Sequence, residues 1–297
     1  MLTQLKTHLI LTLLLLTPLW ANAQLNIVTT TGMISDLTQN IGGKHVQVTA
    51  LMGTGVDPHM YKATQGDLRR LVNADIILYN GLHLEGKLQE IFEKMARKKP
   101  VFAISTLISD DQLIYHDNSP DPHIWFDITL WQKASERVLQ VLIAEDPSNQ
   151  TQYKQNAQVY LEQLQQLHQW VKTEMQTIPK SRRILITAHD AFGYFGRAYD
   201  IKVLGLQGVS TASEFGLQDL RQLKQIIVKN HVQAVFVESS VSPRFIQALV
   251  KGVEAEGHSL TIGGELYSDA MGLSNTPEGT YIGMVKHNVS TIVNALK

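Results

Sequence analysis

The sequence predicts an α/β protein of two lobes, each a four-stranded, mainly parallel sheet with flanking helices, joined by one long backbone helix. Three observations carry that prediction. Short runs rich in β-branched residues alternate with amphipathic stretches, and strand–helix alternation builds parallel sheets covered by helices. The alternation occurs twice, with four strand-like runs in each half. Between the halves lies a single apolar stripe much longer than an ordinary helix. Composition agrees: of 297 residues, 44% are hydrophobic and 18% charged, which excludes a disordered or collagen-like chain.

The first element is expected to be lost. Residues 1–23 combine Lys6 near the start, an apolar run from Leu9 to Trp20 and the triplet Ala21-Asn22-Ala23, the pattern of a secretory signal peptide cut after Ala23. As a helix that run would reach about 18 Å, short of a hydrocarbon core about 30 Å thick, so it does not read as a membrane anchor. The chain has no cysteine, which excludes disulfides, thiolate metal sites and thiol nucleophiles, and leaves no residue for a lipid anchor. A soluble periplasmic protein is expected. With 26 Lys+Arg against 27 Asp+Glu and no basic run, nothing suits nucleic acid.

In the N-terminal lobe, 24–147, strands are expected at 25–30, 46–51, 75–79 and 101–104. The second is followed by Asp57-Pro58-His59 and the fourth by Asp121-Pro122-His123-Ile124-Trp125. Proline fixes its own φ and keeps the preceding Asp extended, so a histidine after such a turn is aimed at little entropic cost, as a metal ligand requires. Asp127, four residues beyond His123, either orients that imidazole from a shared helical face or is a solvated helix carboxylate.

The stripe at 148–178 places Tyr153, Ala157, Tyr160, Leu161, Leu164, Leu167, Val171, Met175 and Ile178 along one helix, in steps of three and four, with Pro147 and Pro179 as punctuation. It reads as a helical strut about 45 Å long. In the C-terminal lobe, 179–297, strands are expected at 183–188, 202–207, 234–238 and 259–262, with a helix over 217–228. His189 follows the first of these and Asp269 the last, at the carboxyl ends where open α/β sheets place ligands. Three imidazoles and a carboxylate would complete the shell of a divalent transition metal. Spacing alone ranks Asp269 no higher than Asp190, Glu214, Glu238 or Glu265. His45, His83, His168, His231, His258 and His287 sit in ordinary polar or helical contexts.

These stretches, together with Thr187-Ala188-His189-Asp190-Ala191-Phe192-Gly193, Phe236-Val237-Glu238-Ser239-Ser240 and Gly264-Glu265-Leu266-Tyr267-Ser268-Asp269, resemble a TroA-type solute-binding protein. Such proteins are the metal-capturing subunits of zinc/manganese ABC importers. The resemblance spans the whole mature chain. It implies two α/β lobes joined by a backbone helix, His59, His123, His189 and Asp269 as ligands, Zn2+ or Mn2+ as the transported ion, and a membrane permease as partner of a monomeric, non-enzymatic protein. Manganese-type relatives usually carry Glu where this chain has His189, whereas zinc-dedicated relatives often carry a long His-rich loop that 108–122, with only His116 before the ligand, lacks. Three imidazole nitrogens favour zinc; a bidentate Asp269 would leave manganese or iron open. The alternative from the residues is a secreted zinc-dependent hydrolase with Glu238 or Glu265 as base, although no H-E-x-x-H is present. Histidine ligands titrating near about 6.5 predict an affinity that is flat above about pH 7.5 and falls in acid.

Overall fold

The computed structural model describes residues 24–116, 118–213 and 216–297; the expected signal peptide and Glu214 lie outside the described residues. The first half runs β1 (Leu25–Thr29), α1 (Gly32–Gly42), β2 (Val46–Ala50), α2 (Gln65–Asn73), β3 (Ile76–Tyr79), α3 (Gln89–Ala96) and β4 (Val101–Ala103). The strands pair in the order β2-β1-β3-β4, all parallel. β3 is apolar at successive positions because both sheet faces are covered: Ile76, Ile77 and Leu78 are all buried. A capping box starts α2, with the Asp67 amide donating to Thr64 Oγ1 and the Thr64 amide to Asp67 Oδ2.

Beyond β4 a small hairpin, β5 (Tyr115–His116) with β6 (Ser119–Pro120), delivers the chain to His123. α4 (Ile128–Glu145) follows, and after a 3-10 turn at Pro147–Asn149 comes α5 (Gln150–Gln176), 27 residues long. The expected stripe is the buried face of α5, which packs against α4 and α1.

The second half runs β7 (Ile184–His189), α6 (Gly193–Tyr199), β8 (Lys202–Gln207), α7 (Leu217–Lys229), β9 (Ala234–Glu238), α8 (Arg244–Glu254), β10 (Thr261–Leu266) and α9 (Tyr281–Leu296), the last also packed on α5. Its ladders are two parallel pairs, β7–β8 and β9–β10, with β7 running beside β9. The last strand starts two residues later than expected and continues through Gly263-Gly264-Glu265-Leu266. Paired glycines read as a turn in sequence. Here they let the strand lie close to its neighbours: a Cβ at Gly263 would meet Ala295 at 2.7 Å, and Gly264 sits at φ 150° where the register slips.

The main hydrophobic core does not stop at the strut. One cluster joins Ile27, Leu37 and Trp131 of the first half through Tyr160 and Leu164 to Phe192, Phe236 and Tyr281 of the second. Separate clusters fill the far side of each half. Among the described residues no helix is long and apolar enough to cross a membrane.

Candidate metal centre

The site is assembled from four chain segments. His59 comes from the loop after β2, His123 from the turn after β6, His189 is the last residue of β7, and Asp269 follows β10 by three residues. One potential ligand atom from each falls within 4.8 Å of all the others. His123 and His189 have no exposed surface, Asp269 keeps 1% and His59 keeps 6%.

Imidazole Nε2 atoms face the centre. His59 Nε2 lies 3.3 Å from His123 Nε2. Asp269 turns Oδ1 to His123 Nε2 at 3.3 Å and Oδ2 to His189 Nε2 at 3.2 Å and His59 Nε2 at 3.7 Å. Metal–nitrogen bonds of about 2.0–2.1 Å at tetrahedral angles would set donors about 3.3–3.4 Å apart, so the spacing suits one small cation. Both Asp269 oxygens are buried facing the ring nitrogens, an arrangement that costs free energy unless a cation or the ring protons lie between them.

Two of the rings are held from behind. His123 Nδ1 lies 2.7 Å from Asp121 Oδ1, which also accepts the His123 amide at 2.9 Å. His189 Nδ1 lies 2.5 Å from Glu238 Oε2, while Glu238 Oε1 accepts the His189 amide at 2.8 Å. A carboxylate on Nδ1 orients the ring and makes Nε2 a stronger donor. Trp125 stands edge-on to His123, with ring centroids 5.2 Å apart, and its Nε1 donates to Ser268 O at 3.0 Å, beside Asp269.

Electrostatics separate the histidines. Burial opposes protonation of His123, but Asp121 and Asp269 outweigh it and raise its pKa to about 9. His189 is likewise disfavoured by burial, then driven well above the ordinary imidazole value by Glu238 and Asp269. His59 goes the other way: burial lowers it to about 4, with Asp269 opposing and the two other histidines assisting. Burial pushes the Asp269 carboxyl up, yet His189 and His123 bring it well below the usual carboxylate range. Without metal, His123 and His189 therefore each hold a proton beside Asp269. A divalent ion replacing those two protons leaves the buried charge unchanged. The free imidazole value near about 6.5 used for the sequence expectation does not describe these two rings.

The model of the ZnuA family, zinc-uptake complex component A, periplasmic, matches residues 27–295. The chain belongs to that family. It is 48% identical over 279 residues to the manganese-binding lipoprotein MntA of Bacillus subtilis, covering 93% of this chain and 91% of MntA. The solved structure of the periplasmic zinc-binding protein TroA from Treponema pallidum superposes with a TM-score of 0.91 at 47% identity, covering 92% of this chain and 99% of TroA. The metal ABC transporter substrate-binding lipoprotein SloC of Streptococcus mutans is 29% identical over 287 residues, 93% of this chain and 91% of SloC. Near-equal likeness to a manganese binder and a zinc binder gives identity no power to rank the two metals.

Within this ZnuA-family fold, the carboxylates that spacing left level take distinct places. Asp269 faces the three rings, Glu238 backs His189, and Glu265 is exposed on β10. Asp190, half-buried, has its carboxyl raised by burial. Asp127 is neither a partner of His123 nor merely solvated: it caps α4, accepting the Thr129 amide at 2.9 Å and its hydroxyl at 2.6 Å. The residue that orients His123 is Asp121, already present in the repeated tripeptide. The signal for Glu238 was weaker, a single carboxylate at the end of a strand beside β7.

Proposed function

We propose that this chain captures a divalent transition metal in the periplasm on His59, His123, His189 and Asp269, and delivers it to the membrane permease of an ABC importer. The observation that most directly supports the ligand set is the convergence of three Nε2 atoms on the two buried oxygens of Asp269. Zinc is the favoured cargo, because three nitrogen donors at tetrahedral spacing suit it better than manganese. Asp269, with both oxygens turned inward, also supplies the extra contact a harder ion prefers. Membership of a solute-binding family leaves no support for the hydrolase: a catalytic zinc keeps an open position and a free base, and Glu238 is engaged by His189.

The lobes in this reading are 24–147 and 179–297, with 148–178 as the joint, and the protein works as a monomer. Relatives are called lipoproteins, but this sequence has no cysteine to carry a lipid, so it acts as a free protein once residues 1–23 are removed. Elemental analysis of protein purified without added metal, followed by zinc–manganese competition, tests the proposal. One zinc per chain, retained against excess manganese, is expected. Less than a tenth of an equivalent of any transition metal, with no rise in melting temperature on adding one, rejects it.

A further inference from the structure

The turn that carries His123 is gripped by a second buried network. Asn80 follows β3 directly; its Nδ2 donates to Pro122 O at 2.9 Å, the carbonyl preceding His123, and to Gly81 O at 3.2 Å. Asn80 Oδ1 is buried with no hydrogen-bond partner, so the side-chain bonds this residue makes are those its amide nitrogen donates. Behind it lies Glu85, 3% exposed. Glu85 Oε1 accepts the backbone N–H of Asn80 at 2.7 Å and the Thr30 hydroxyl at 2.6 Å, and Oε2 accepts the backbone N–H of Gly81 at 3.3 Å. It thereby ties together the chain just beyond β1 and β3, the central strands of the first sheet.

Bringing Glu85 back over Asn80 requires an unfavourable backbone. Gly81, Leu82 and His83 have φ of 83°, 53° and 63°, three left-handed residues in succession, two of them not glycine. Strain of this kind persists only where surrounding interactions over-determine it. Here those interactions end on the carbonyl next to a metal-facing histidine.

We propose that Asn80, locked by Glu85, is a positioning residue that sets where His123 presents Nε2 to the metal. This rests on His123 being a ligand, as proposed above. Asp121 fixes the rotation of the ring; Asn80 fixes the backbone from which the ring projects. The two constraints are independent, and losing either leaves Nε2 displaced from the other donors.

The test uses the mature full-length protein and four variants: Asn80→Asp and Asn80→Leu, which keep the volume but donate no proton to Pro122 O; His123→Ala; and Tyr153→Phe, which removes a hydroxyl bonded to Asp146 at the α4–α5 corner. Zinc affinity by chelator competition, the visible spectrum of the cobalt-loaded protein and the melting temperature of the metal-free protein are measured for each. The Asn80 variants are expected to lose roughly 10–100-fold in zinc affinity, as when a group supporting a ligand is lost, and to shift the cobalt spectrum. Tyr153→Phe should lower the melting temperature without moving either. If His123→Ala binds zinc like the parent, the ligand assignment fails. If His123→Ala abolishes tight binding while both Asn80 variants keep parental affinity and spectrum, the ligand assignment stands and the positioning role is overturned. Should Asn80→Leu fail to fold, Asn80→Asp carries the test alone.

Discussion

The chain uses the tripeptide Asp-Pro-His twice, and the two copies are held in opposite ways. In both, the Asp accepts the amide of the His two residues on, at 2.9 Å. At 121–123 the same oxygen also meets the ring, the carboxylate is wholly buried and Asn80 grips the intervening carbonyl. At 57–59 the second oxygen of Asp57 instead accepts the Thr211 hydroxyl at 2.6 Å, from the other half of the molecule. Among the described residues no carboxylate lies on His59 Nδ1. Tyr194 of the second half donates to Asp121 O at 2.8 Å, so the difference lies in the carboxylates: that of Asp121 is engaged by His123 of its own turn, that of Asp57 also by a hydroxyl from across the lobes. Identical local sequence fixes the backbone of the turn, and the surroundings decide whether the ring is set beforehand.

The largest test of this contrast removes the rings. His59→Ala and His123→Ala should each weaken zinc binding by more than about 100-fold, beyond what the loss of a supporting group costs, while His168→Ala should leave it unchanged. His168 is a buried histidine bonded to Tyr199 at 2.9 Å, away from the centre. Equal losses in all three, measured by competition, would mean that the site is elsewhere.

Protonation should sharpen the same contrast. His59, lowered to about 4, gives up no proton to an incoming metal at neutral pH, whereas His123, raised to about 9, and His189, higher than normal, do. Zinc affinity should therefore keep rising between pH 7 and 9, by about tenfold or more per pH unit, instead of levelling off above about 7.5. The metal-free protein should behave in the opposite sense. Stability from imidazolium in the fold is complete below about 6.5 and lost as pH rises through about 9, so its melting temperature should fall over that range. A flat affinity profile from pH 7.5 to 9, in chelator-corrected titrations, would sink this account.

The smallest effect distinguishes the two aspartates. Asp121→Asn should cost about tenfold in zinc affinity and reduce the pH slope, because the charge behind His123 is gone. Asp57→Asn, whose amide oxygen can still accept the Thr211 hydroxyl, should cost about fivefold or less, roughly 1 kcal/mol, and leave the slope intact. Matching losses and matching slopes would erase the distinction between the turns.

Much of this was readable from the chain. The strand boundaries followed from runs such as Ile76-Ile77-Leu78, and the stripe from Tyr153 to Met175 became the buried face of α5. The rigid Asp-Pro-His turns singled out His59 and His123, and position after a strand singled out His189. What stayed hidden depended on contacts distant in sequence. Glu238 lies 49 residues from His189 and meets it only because β9 runs beside β7. Spacing left Asp127 as either a partner of His123 or a solvated helix carboxylate, but the helix begins at Ile128, which turns that carboxylate into a cap. Gly263 and Gly264 imitate a turn because the side chains that demand their bareness, on Ala295 and Thr291, belong to α9.

The core that passes from Ile27 through Leu164 to Tyr281 makes the molecule two-lobed in outline and single in its thermodynamics. Each half contributes one wall of the same packed interior, so neither can lose its native contacts without exposing apolar surface on the other. Heat and denaturant should then unfold the two halves in one transition, which coincident melting curves from probes in each half would check. During synthesis Trp131 lacks the ring that stacks on it until Tyr281, in the second half, has been made.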